Sequence, residues 1–138
     1  QQLELEITES ALLTALDESC AKLQQLKNLG VTLALDDFGT GYSSITHLRL
    51  FPVEILKIDK SFIDTIITQE DDSLVNSLIH FAQSLKLRVV AEGVETQEQM
   101  DYLLHYGCDL IQGYYFSRPV PAEEALLLLK KQAQQHTT

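Results

Sequence analysis

The chain has 138 residues, 45% of them apolar and 22% charged, with six glycines and three prolines. That length fits one domain, and that composition excludes disordered, collagen-like and low-complexity chains. Twenty acidic residues against ten basic give a formal net charge of -10, and without a basic stripe there is no expected duplex nucleic acid partner.

In chain order, a short β-like run and an amphipathic helical stretch alternate five times. Strands are expected over residues 3–8, 31–36, 54–58, 87–92 and 109–112. The first helix starts after Ser10, a capping residue, and ends at Gly30, a natural left-handed stop. Its apolar positions Leu12, Leu13, Leu16, Cys20, Leu23 and Leu26 fall at helical spacing. A shorter helix over 43–50 is stopped by Pro52. Asp71, Asp72 and Ser73 open a helix carrying Leu74, Leu78, Phe81, Ala82 and Leu85. Thr96 and Gln99 have capping-box spacing for a helix that ends at Gly107. The last helix begins near Pro121, with Glu123 and Glu124 in its first turn. No linker divides the chain. No apolar run is long enough to cross a bilayer, and QQLELEITES lacks the features of a signal peptide. The expectation is a soluble, cytoplasmic segment without membrane contact of its own, although a longer parent could carry an anchor. Cys20 and Cys108 form no CxxC and read as reduced packing residues.

Strands alternating with helices imply parallel pairing and right-handed crossovers. Residues two apart in a strand share a face. One phase of each strand is aliphatic enough to lie under helices. The other phase ends in a polar residue: Glu6, Asp36, Lys57, Glu92 or Gln112. A doubly wound sheet, covered on both faces, asks for apolar residues in both phases. A barrel asks for one phase against the helices and polar groups at the C-terminal rim. The expected fold is therefore α/β, a partial (β/α)8 TIM-like barrel of five βα units. A closed barrel takes about 250 residues, so the chain reads as a piece of a larger domain. Its two strand edges, 3–8 and 109–112, are pairing hazards. Association with a missing N-terminal piece or between copies, a homo-oligomer, is expected.

Glu6, Asp36, Asp37 and Glu92 bring four carboxylates toward one end of the sheet. Like charges that close repel unless a cation neutralises them, and all-oxygen ligands suit Mg2+ or Mn2+. Adjacent Asp36 and Asp37 can point to opposite sides and serve two ions, the arrangement used for in-line attack on a phosphodiester. Lys57 would supply a fixed positive charge. Taken singly, each acid is more often a rim salt bridge with Lys57 or Arg88; five polar residues in one phase of five strands make the joint reading functional. FGTGYSS, with Gly39 and Gly41, reads equally well as a strand-to-helix turn or as a loop that brings N–H groups to an anion. Tyr114, Tyr115 and Phe116 are either core or a base-stacking surface. His47, His80, His105 and His136 read as structural or solvated.

The runs ELEITES, DDFGTGYSS, LKIDKSFI, VVAEGVET and QGYYFSRP together resemble the EAL domain over essentially the whole chain. The resemblance implies a modified (β/α)8 barrel that uses Mg2+ or Mn2+ to hydrolyse the bacterial second messenger cyclic di-GMP to linear pGpG. By motif, it implies metal ligands at Glu6, Asp36, Asp37 and Glu92, with Glu92 alternatively a general base. It implies Lys57 near the attacking water, Glu9 steadying the loop after the aspartates, Glu95 as a further site glutamate and Gln112 as a residue that positions water or ligand. It likens the loop over 39–44 to the segment that couples a dimer interface to the active site. The Glu-Ala-Leu strand and the strand with the metal-binding Asn are absent, and both would precede Gln1. The expectation is the C-terminal part of a cyclic di-GMP phosphodiesterase domain, inactive alone. The alternative is a non-catalytic EAL-like module that binds cyclic di-GMP or a protein as a sensor.

Overall fold

A computed structural model describes residues 3–8, 11, 16–38, 48–68 and 72–135. Among them run five strands, β1 (Glu4–Thr8), β2 (Thr32–Phe38), β3 (Ile55–Ile58), β4 (Arg88–Ala91) and β5 (Leu110–Ile111). The helices are α1 (Leu16–Asn28), α2 (Lys60–Thr68), α3 (Asp72–Ser84), α4 (Gln97–His105) and α5 (Ala122–Gln135). All neighbouring strands pair in parallel, in the order β1-β2-β3-β4-β5. An order that advances without reversal builds a barrel wall, whereas a doubly wound sheet reverses at a switch point.

The side-chain phases divide as the sequence analysis expects. Leu33, Leu35, Leu56, Ile58, Val89 and Ala91 turn toward the helices and join Ile63, Val75, Ile79 and Leu103 in the main core. Each leucine, isoleucine or valine among them, fully buried, contributes roughly 1.5–3 kcal/mol. Among the described residues the opposite face holds a small buried cluster of Ala34, Ile55 and Val90. Beyond it, toward the C-terminal ends of the strands, the same phase turns polar.

The elements differ from the expected ones in three places. Helix α2 was not anticipated, because KSFIDTIIT is rich in β-branched residues, which favour strands. Asp59 decides the matter: its carboxylate accepts a hydrogen bond from the Ser61 backbone N–H at 2.8 Å and caps the helix, while Ile63 and Ile66 are buried. Strand β2 runs two residues beyond its expected end, through a register shift between Leu35 and Phe38 where Asp37 takes a φ of 56°. Strand β5 keeps only two residues of the four expected. Gly30 does end the first helix stretch with a φ of 86°. The expected cap Ser10 and residues 43–47 of the expected helix over 43–50 lie outside the described residues.

Both cysteines are free thiols. Cys108 is buried, and burial pushes its thiol up to about 11; Cys20 lies with its sulfur 3.8 Å from the Leu50 carbonyl oxygen. Tyr114, Tyr115 and Phe116 are not core. They stand 51%, 36% and 52% exposed, with Arg118 stacked over the Tyr114 ring and the Tyr115 hydroxyl hydrogen-bonded to Gln97. Four consecutive leucines of α5, Leu126 to Leu129, are also exposed. No helix among the described residues is long and apolar enough to cross a membrane.

Hydrogen bonds from the Ser61 hydroxyl and then its backbone N–H hold the Asp59 carboxyl below the usual range. A group with a lowered folded pKa stabilises above its unfolded value, near 3.9, and loses that contribution as pH falls through the folded value. Asp59→Ala is therefore expected to cost about 1 kcal/mol at neutral pH, and to cost progressively less as pH falls below the unfolded value, read from urea unfolding midpoints. A second position tests close packing. The backbone of Gly113 lies directly on that of Val94, so an added Cβ would fall on the Val94 carbonyl and nitrogen. Backbone cannot yield as a flexible side chain can, and Gly113→Ala is expected to cost about 3 kcal/mol by the same measurement.

Candidate active site

At the C-terminal ends of the strands the polar phase closes on one buried cation. Lys57 on β3 is 4% exposed. Its Nζ donates to Glu6 Oε1 on β1 at 2.6 Å and to Glu92 Oε1, one residue past β4, at 2.7 Å. Asp36 Oδ1 on β2 stands 3.5 Å away. In a flat sheet β1 and β4 would lie three strand spacings apart, about 14 Å. Side chains from both meet one nitrogen because the sheet curves and this phase points to its concave side.

The electrostatics follow from this geometry. Burial alone would lower the Lys57 pKa, but hydrogen bonds to Glu6 and Glu92, with the charges of Glu92 and Asp36, more than offset it and hold the ammonium well above the ordinary lysine value. The group is a permanent cation throughout the physiological range. Nearby, the left-handed Asp37 turns its backbone N–H onto Asp36 Oδ1 at 3.0 Å. That contact fixes the Asp36 carboxylate. A non-glycine residue with positive φ is costly, and such strain gathers at functional sites.

The other expected site residues fall in different places. Glu95 does not join the Lys57 group: it pairs with Lys60 at 3.2 Å, and Lys60 also holds Asp64 at 2.8 Å. Gln112 stands beside the site through its backbone, its N–H donating to the Ala91 carbonyl at 2.8 Å and its carbonyl accepting from Val94 N–H at 3.1 Å. Glu9 and the loop over 39–47 lie outside the described residues. Sequence reasoning missed Lys60 and gave Gln99 only a capping role. The i,i+4 spacing of Lys60 and Asp64 was the available signal for the former.

Gly93, next to Glu92, has a φ of 70°, and a Cβ there would sit 2.5 Å from Lys60 Cγ. The lysine stem therefore covers the loop that leaves β4.

Among the described residues no three His, Cys, Asp or Glu side chains are spaced to ligate one ion as they stand; the carboxylates converge on the ammonium instead. The donor set itself is all oxygen and anionic, drawn from Glu6, Asp36 and Glu92 around one point, with Asp37 adjacent. That chemistry fits a hard divalent cation better than one that prefers thiolate or imidazole ligands. The arrangement combines a fixed positive charge for a phosphate oxygen with carboxylates able to bind cations or accept a proton.

The EAL domain model matches residues 1–119. The chain is 51% identical over 120 residues to the cyclic di-GMP phosphodiesterase NbdA of Pseudomonas aeruginosa, covering 86% of this chain and 15% of that protein. Among solved structures, the PaMucR phosphodiesterase in its c-di-GMP complex superposes with a TM-score of 0.84 at 42% identity, over 89% of this chain and 50% of that one. The Klebsiella pneumoniae BlrP1 complex with manganese and cyclic di-GMP has a TM-score of 0.75 at 37% identity, over 86% of this chain and 30% of that one. The chain thus spans about one sixth of the curated relatives it matches. With the motif-bearing strands in barrel order and the family match over most of its length, the chain belongs to the EAL domain family.

Proposed function

We propose that residues 1–138 form the C-terminal part of an EAL phosphodiesterase domain that hydrolyses cyclic di-GMP to linear pGpG, in the cytoplasm, with Mg2+ or Mn2+. The single observation that carries this reading is the convergence of Glu6, Asp36 and Glu92 from three separate segments on the buried Lys57 ammonium. A buried lysine is expensive to keep, and a site that places a fixed charge among carboxylates at a barrel mouth is suited to phosphoryl chemistry.

In this reading Glu6, Asp36, Asp37 and Glu92 hold divalent cations, which when bound activate water and neutralise phosphate charge. Lys57 donates a hydrogen bond toward the attacking water or a non-bridging phosphate oxygen, stabilising the charge that grows there. Glu92, beside Lys57, can accept the proton the water loses as it adds to phosphorus, while one P–O bond of the ring breaks and the departing ribose oxygen takes a proton from solvent water. Gln112 orients water or ligand from the end of β5. Glu95 acts through Lys60 on the loop after β4, and Glu9 steadies the loop after the aspartates. A closed barrel has eight strands, and among the described residues β1 and β5 each pair with one strand, at the two ends of a five-stranded sheet. We therefore assign turnover to the domain completed by further strands. The chain alone is expected to be inactive and to associate through those edges.

The test is hydrolysis of cyclic di-GMP by the complete domain with Mg2+ or Mn2+, and its loss with a chelator. Binding of cyclic di-GMP without any cleavage under those conditions would favour the sensor reading instead. Lys57→Met separates the roles further. The ammonium and a divalent cation are drawn to the same carboxylates, so the variant is expected to lose about 100–1000-fold in kcat while binding Mn2+ more tightly by calorimetric titration.

A further inference from the structure

Two strand exits carry the site: β3, which delivers Lys57 and runs through Asp59 into α2, and β4, which delivers Glu92 and runs through 93–96 into α4. They are joined by one buried amide. Gln99 is 1% exposed. Its Oε1 accepts hydrogen bonds from the backbone N–H groups of Glu95 at 2.8 Å and Thr96 at 3.1 Å. Its Nε2 donates to the Ile63 carbonyl of α2 at 3.2 Å. A capping box needs only the bond to the N-cap N–H. The additional bonds, to Glu95 and across to α2, are not required for helix capping. From the outer side Lys60, the first residue of α2, ties the same loop through Glu95 and covers Gly93.

We propose that Gln99 is a positioning residue for the Lys57–Glu92 pair: by bonding the loop after β4 to helix α2, it fixes the separation of the two strand exits and so the placement of the Glu92 carboxylate against the Lys57 ammonium. Both lone pairs of its carbonyl oxygen are used by one exit and its amino group by the other, so no apolar residue can replace the link. The proposal rests on the phosphodiesterase reading for its catalytic consequence, but not for its structural one.

The complete domain carrying Gln99→Met and Gln99→Glu tests it. Partners that orient a site from behind typically contribute 10–100-fold. Gln99→Met is expected to lower kcat for cyclic di-GMP by about that factor with KM changed less than about threefold, and to speed amide hydrogen exchange at Glu95 and Thr96 but not in β2. Gln99→Glu keeps the acceptor and loses the donor, so its kcat should recover as pH falls and the protonated side chain donates to Ile63 again. It also serves if Gln99→Met fails to fold. Faster exchange with kcat unchanged would overturn the proposal, as would a Gln99→Glu pH profile that matches the unsubstituted domain. If the unsubstituted domain does not hydrolyse cyclic di-GMP, the phosphodiesterase reading fails on its own. Mn2+ affinity then decides the positioning role: a tenfold or greater weakening by Gln99→Met supports it, and unchanged affinity overturns it.

Discussion

A single ammonium group, drawn inside a curved sheet and bonded by carboxylates from two sides, sets the terms for the rest of this structure. Lys57 can be buried only because Glu6, Asp36 and Glu92 surround it; an unpaired charge there would be strongly destabilising. The three acids can reach it only because the sheet curves. Curvature in turn requires one aliphatic phase that packs under helices and one phase that is small near the strand starts, where Ala34, Ile55 and Val90 lie. The core and the site are thus two outcomes of one alternation: the residues that drive the helices onto the sheet alternate with those that meet at its mouth.

Much of this was legible in the sequence because the period of a strand is two. Once strands and helices alternate, parallel topology fixes which end of every strand faces the same way, and the polar residue closing one phase must arrive at that end. Glu6, Asp36, Lys57 and Glu92 could be grouped on that ground alone. The conformation of Asp37 was not legible. A φ of 56° and the register shift around it depend on how β2 leaves the sheet, and two consecutive aspartates look alike in sequence.

Helix α2 and Gln99 escaped for different reasons. In α2 the local preference of β-branched residues is overruled by the Asp59 cap and by burial of Ile63 and Ile66. Gln99 has a recognisable capping position, but its partner on α2 lies 36 residues away, beyond any local pattern. Glu95 shows the reverse case: its motif suggested a place in the site, while its carboxylate is committed to Lys60. Its influence passes through the loop beside it.

The two thiols lead to a practical asymmetry. Cys108, shielded within the sheet–helix core with its pKa raised to about 11, carries almost no thiolate at neutral pH, and alkylating reagents need the thiolate. A fluorophore offered to the native protein is therefore directed to Cys20, which touches the turn leading into β3 through the Leu50 carbonyl. Without any engineered residue, the chain offers a single optical reporter on the approach to the strand that carries Lys57.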